Sequence, residues 1–187
     1  MQTLDALRAD FDTRAKWSLS MPIAGLIVWS AIAVLGAFLP LKAGVFAMVF
    51  ATGAIFPIAM LIARFRGEQL MDNTNPLARL MATCVVMVNL LWAVHIPLVV
   101  YAPTFVPLSL GIGLGLHWMV YSWIIVHPLG YQHAVVRTVG LLAVWFAFPA
   151  HLVSACAIVI VATYLMSLFQ MRARSTIGQA SASPQRA

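Results

Sequence analysis

Acidic residues are scarce in this chain of 187 residues, and their placement excludes more than their number does. There are five, Asp5, Asp10, Asp12, Glu68 and Asp72, and none from residue 73 onward. Charged residues of both signs make up 9% of the chain, against about 25% in a soluble domain. Together with 63% hydrophobic residues, this excludes an ordinary water-soluble fold and points to a membrane protein. Cysteine is also rare. Cys84 and Cys156 both fall in apolar runs, where a thiol behaves as a small apolar group, and no disulfide is expected.

The missing carboxylates bear on chemistry. Proton coupling through intramembrane Asp or Glu, and proteolysis by paired Asp, both lack their groups. No P-loop and no GxGxxG is present, so nucleotide binding has no support. Ser109, Ser122, Ser154 and Ser167 lack a GxSxG setting. Zinc would need several His, Cys or acidic ligands, and no HxxxH or HExxH pair exists. Haem would need two histidines at matching depth. Neither a metal nor another cofactor is expected.

What the chain has is long uncharged runs. A membrane helix needs about 20 apolar residues to cross about 30 Å of hydrocarbon. Six stretches qualify, near 18–39, 43–63, 80–101, 106–126, 134–148 and 150–170, the fifth being short with Arg137 in its first turn. They predict an all-α, six-span transmembrane bundle forming one domain over 18–171. Lys and Arg orient it. Arg8, Arg14, Lys16, Arg64, Arg66, Arg79, Arg137, Arg172, Arg174 and Arg186 fall on one side of such a bundle, and only Lys42 on the other. Positive flanks stay inside, so both termini are predicted to be cytoplasmic, in a bacterial inner membrane with an anionic inner leaflet. This accounts for the net charge of +6 without nucleic acid.

Residues 1–17 carry Leu4, Leu7, Phe11 and Ala15 on one stripe, which predicts a short amphipathic helix on the inner surface with Trp17 at the interface. The segment holds three acids and precedes a long apolar run, unlike a cleaved signal peptide. Asn75-Pro76 reads as a helix N-cap followed by Pro at the first helical position. Pro57 and Pro97 are expected to kink their spans. Residues 172–187 read as a disordered cytoplasmic tail.

Histidine is the only titratable group left near neutral pH within the spans. At 1.5 Å per residue, His151 lies near the outer surface, His95 about 9 Å in, and His117 about 16 Å in, near the midplane. Gly113, His117 and Tyr121 recur four residues apart and so share a face of a continuous helix. Asn89 is at similar depth on span three. His151, His95, His117 and Tyr121 could form a staggered path for a proton or a small solute. The alternative is that these groups only hydrogen-bond neighbouring helices. His127 and His133 are expected at the inner boundary. Gly111 and Gly115 form GxxxG, which admits a close helix, either within the chain or from a second copy.

Gly115, His117, Tyr121 and Trp123, as they stand in GLHWMVYSW, resemble a motif of a bacterial family of small multi-pass membrane proteins of unknown function. Ala15-Lys16, Ala24-Gly25, Trp29, Phe56-Pro57 and Asn75-Pro76-Leu77 agree in order, so the resemblance covers residues 10–130 or so. It implies a shared fold and importance for His117, Tyr121 and Trp123. It brings no activity.

Two functions are open from sequence. One is a small transporter, permease-like or solute-binding protein with a midplane site of His117, Tyr121 and Asn89, flanked by His95, Trp123 and His151. The other is a structural or accessory protein associating through Gly111, Gly115 and the basic inner surface. A membrane enzyme using His as base ranks third, because no nucleophile, metal set or acid accompanies it. The charge bias makes a direct prediction. Green fluorescent protein fused to the C-terminus should fluoresce in cells, and alkaline phosphatase fused there should be inactive; the reverse pattern would overturn the orientation.

Overall fold

Backbone polar groups in an apolar setting must be satisfied within their own segment, and every regular element among the described residues is accordingly helical. The computed structural model describes residues 2–15, 18–70 and 74–182, with side chains as far as Arg174. Lys16, Trp17, Asp72 and residues 183–187 lie outside the described residues, so the interface role expected of Trp17 falls there too. The order is α1 (Leu4–Ala15), α2 (Ser20–Phe38), α3 (Leu41–Gly53), α4 (Ile55–Arg66), α5 (Pro76–Leu90) and α6 (Trp92–Tyr101). A 3-10 turn, Pro103–Phe105, leads into α7 (Val106–Gly113), α8 (His117–Ile125) and α9 (Leu129–Ala147). A second 3-10 turn, Pro149–His151, precedes α10 (Leu152–Ala182), which carries the helix well into the expected tail.

Four stretches are long and apolar enough to cross a membrane: Ser20–Phe38, Pro76–Tyr101, Pro103–Ile125 and Pro149–Arg174. The pair α3 and α4, bent by 40°, makes a fifth if counted as one. Pro57 has no N–H for the Gly53 carbonyl, and the chain turns between them at Ala54. The expected fifth span, near 134–148, is a helix, but it differs from the reading above. It begins at Leu129, and Arg137 lies halfway along it instead of in its first turn. Gln132, His133 and Arg137 keep α9 below the hydropathy of the others.

α10 is the central strut, packed against α2, α9 and α7. Glycines bring α2 close to it: a Cβ at Gly25 would lie 2.5 Å from the Tyr164 ring, and one at Gly36 would lie 2.7 Å from Val153. Outside this core the apolar surface is open. Phe38, Phe50, Phe65, Leu90, Tyr101, Phe146 and Phe169 are 70 to 86% exposed, a surface suited to lipid chains.

α1 crosses one end of the bundle, against α8 and α5. Its apolar stripe is used there: Leu7, Phe11 and Ala15 pack on the core, while Leu4 stays exposed. Polar bonds fix it. Asp12 pairs with Arg174 at 2.7 Å, and Asn75 Nδ2 donates to the Leu7 carbonyl at 2.9 Å and to Asp10 at 2.8 Å. The Asn75 side chain also accepts from Leu77 N–H at 2.8 Å, so it caps α5 ahead of Pro76 as the sequence predicts.

The single glutamate caps another helix. α4 ends at Gly67 in the left-handed region (φ 68°), which turns the next residue back towards α2. Glu68 there accepts from Leu19 N–H at 3.2 Å, Ser20 N–H at 3.1 Å and the Ser20 hydroxyl at 2.5 Å, and it pairs with Arg66. α2 has no side-chain cap of its own sequence. Burial opposes ionisation of this carboxylate, but the bonds from Arg66, Ser20 and Leu19 outweigh it and hold Glu68 below its ordinary value of 4.5. Its contribution to stability is therefore complete above about pH 4.5 and is lost as pH falls through the lower folded value. Glu68→Gln should cost about 1–2 kcal/mol at pH 7. The gap to wild type in detergent melting curves should close on acidification, and a gap independent of pH would refute the assignment.

Candidate functional site

Three glycines weaken the helix where span four passes the middle of the bundle. Gly111, Gly113 and Gly115 each disfavour helix by roughly 1 kcal/mol relative to Ala, and α7 stops at Gly113. The N–H of Gly115 donates to the Ile112 carbonyl at 2.8 Å, a 3-10-type bond, and so leaves the Gly111 carbonyl. Arg137 takes that carbonyl instead: its Nε donates to Gly111 at 2.6 Å. The helix resumes as α8 at His117. The break thus separates Gly113 from His117 and Tyr121, whereas His117 and Tyr121 stay four residues apart on α8.

Arg137 is fully buried, and so is His133, one turn before it. Both were expected near the inner boundary, because α9 was placed several residues too late. His133 Nε2 lies 3.4 Å from Arg137 Nη1, and His133 Nδ1 lies 2.8 Å from the Ser167 hydroxyl. Ser167 in turn donates to the Thr163 carbonyl at 2.9 Å. Aromatic rings close the centre. The guanidinium carbon is 5.5 Å from the Trp29 ring and 5.8 Å from the Tyr164 ring. Trp118 stacks on His133 at 4.2 Å with 12° between the planes.

The α8–α9 turn sets this stacking. Val126 ends α8 in the left-handed region (φ 50°), an uncommon place for a β-branched residue. The Ser122 hydroxyl accepts from Gly130 N–H at 2.6 Å and Tyr131 N–H at 2.9 Å, which caps α9 from α8. His127, in the turn, is held below its ordinary value by burial and by Arg174, with Asp12 opposing.

Of the groups singled out from sequence, His117 and Tyr121 join this centre. His117 lies within Coulombic reach of Arg137 and His133. Its Nδ1 is buried without a well-formed hydrogen bond, although the Leu114 carbonyl is close by. Tyr121 packs 5.7 Å from Trp118 and 6.3 Å from Phe11 of α1. Its hydroxyl also lacks a well-formed bond, although Arg174 acts on it. Trp118 Nε1 and Arg137 Nη2 are also buried without a well-formed bond, although the Tyr164 hydroxyl lies near the guanidinium.

The others are elsewhere. Asn89 is exposed on α5 and donates to the Val85 carbonyl of its own helix at 2.8 Å. His95 is buried against α7, with its Nδ1 3.3 Å from the Ser109 hydroxyl and its Nε2 3.4 Å from where a Gly113 Cβ would stand. Gly113 makes room for His95. His151 is exposed at the far 3-10 turn. Trp123 is 45% exposed, with Arg8 of α1 over its ring at 4.5 Å. Gly111 and Gly115 face the chain's own helices: added Cβ atoms would lie 2.8 Å from Leu141 and 2.9 Å from Arg137. Among the described residues no three His, Cys, Asp or Glu groups converge on a metal site. The guanidinium beside His117 and His133 opposes a cation.

Sequence reasoning missed Arg137 and His133. A signal was present: they stand four residues apart in an otherwise apolar run, on one helical face.

A family model described as a family of unknown function (DUF7010) matches residues 4–174. No curated protein and no solved structure matches the chain.

The close packing predicts a graded set of glycine effects. Gly115→Ala forces Arg137 to shift and should cost about 1–3 kcal/mol. Gly130→Ala, whose Cβ would overlap the Trp118 carbonyl, should cost at least as much, whereas Gly53→Ala enters open space and should be neutral or stabilising. Melting temperatures of the three in one detergent check the order.

Proposed function

Because the chain belongs to the DUF7010 family, which carries no assigned activity, we propose from its geometry that it is a permease-like or solute-binding membrane protein with its site at the α7–α8 interruption. The carrying observation is three buried nitrogens on α8 and α9 that lack a well-formed hydrogen bond: Trp118 Nε1, His117 Nδ1 with only the Leu114 carbonyl beside it, and Arg137 Nη2 with the Tyr164 phenol near its guanidinium. Each unsatisfied buried group costs about 1–3 kcal/mol, and a polar solute among them would remove that cost. An interrupted helix at mid-depth is also where transporter sites are commonly built.

The site needs α9 to cross the membrane, which makes six crossings with both termini cytoplasmic. Support comes from how α9 disposes its residues. Arg137 and His133 face inward at 0% exposure, while Val135, Val136, Val139, Leu142 and Phe146 face outward at 47 to 70%. A low mean hydropathy is compatible with a lipid-facing helix arranged in this way. A bacterial inner membrane suits the one-sided cationic residues that remain after Arg137 moves into the core. The accessory-protein reading loses its main surface, because α9 and α10 already cover Gly111 and Gly115.

Thermal stabilisation of the purified protein across a panel of small neutral and charged solutes tests the site. Solutes that stabilise wild type should lose that effect with His117→Ala and keep a weakened effect with Tyr121→Phe. If both variants respond like wild type to every stabilising solute, the site is refuted.

A further inference from the structure

The Arg137 side chain places a full positive charge in the core, and the acids whose side chains are described are committed elsewhere. Asp10 bonds Arg14 and Asn75, Asp12 pairs with Arg174, Glu68 caps α2, and Asp5 is 93% exposed beside Arg8. The groups around the guanidinium are the Gly111 carbonyl, His133, His117 and the Trp29 and Tyr164 rings. All are neutral or can gain only positive charge, apart from the Tyr164 phenol. Guanidinium stays protonated under all ordinary conditions. Neutral acceptors and ring faces offset only part of its desolvation, and a buried charge otherwise demands a counter-charge.

We propose that the Arg137 centre binds one small monovalent anion, such as a halide, nitrate or formate. This rests on the solute-site reading above and names its ligand class. One observation favours an anion besides the charge. Arg137 Nη2 is a buried donor without a well-formed hydrogen bond, and the neutral Tyr164 phenol is the one hydroxyl near the guanidinium. The class follows from charge and enclosure. One fixed cation matches one negative charge, and the enclosing Trp29, Trp118 and Tyr164 rings require the ion to shed its water. Sulfate and other divalent anions lose more hydration than a single guanidinium returns, and so are rejected.

The full chain in zwitterionic phosphatidylcholine nanodiscs, in gluconate buffer, provides the test. Chloride-35 NMR should show line broadening that saturates and is reversed by nitrate, and melting temperature should rise along the same saturation curve. Sulfate at matched ionic strength should do neither. Arg137→Gln should weaken chloride binding by about tenfold or more, the cost of losing a hydrogen bond to a charged group. Arg137→Lys, which keeps the charge, should retain part of it. Should Arg137→Gln fail to fold, His117→Ala provides the second measure and should also raise the chloride midpoint. The proposal is overturned by broadening that does not saturate in wild type, by an equal response to sulfate, or by an unchanged midpoint in the folded variants. Stabilisation by a neutral solute through His117 without chloride binding would overturn the anion and leave the solute site standing.

Discussion

The bond from Arg137 to the Gly111 carbonyl is the constraint around which the centre of the structure is arranged. A guanidinium in an apolar interior must find acceptors, and a regular helix offers poor ones, because its carbonyls already accept from their own helix. The chain supplies one by interrupting span four. That explains the glycines. They weaken the helix locally, and at Gly115 the missing side chain leaves space for the arginine stem. Trp29 and Tyr164 then close over the charge with their ring faces, which brings α2, α7, α9 and α10 to one point. Gly25 lets the Tyr164 ring reach that point from α10.

Histidine gives the centre a second layer. His133 is fixed on both sides, by Arg137 and by Ser167, and Trp118 lies flat on it. His117 is not fixed in this way. One imidazole therefore serves as a strut, while the other, at the start of α8, has only the Leu114 carbonyl beside its buried Nδ1.

Much of the helical framework was legible in the sequence because it depends on local chemistry. Asn75 and Pro76 start α5 as the capping rule requires, Pro57 lies at the bend of α3 and α4, and the apolar runs became helices. The centre was obscured by the same reasoning. Hydropathy treats a charge as the edge of a span, so Arg137 pushed the expected start of α9 towards residue 134 and took His133 out of the membrane with it. Periodicity assumes an unbroken helix, so Gly113 was set on the face of His117 and Tyr121 although the alternating glycines interrupt the helix between them. Depth along a helix could not tell that Asn89 faces outward and bonds its own backbone. Which side of a helix is buried is a property of its neighbours, and a single chain read in one dimension does not contain them.

The ion pair between Asp12 and Arg174 joins the first helix to the last across 162 positions of sequence. α1 leaves the ribosome before any partner it will touch: Asn75 follows about 60 residues later, Trp123 about 110, and Arg174 last of all. During synthesis it must wait in water or on the membrane surface with Leu7 and Phe11 uncovered. Its docking is thus a late event of assembly, begun against α5 and α8 and locked by Arg174 once α10 has formed. A chain that stalls before α8 keeps an apolar helix without its main packing partner at its beginning, which marks it as unfinished to any protease or chaperone that reads such segments.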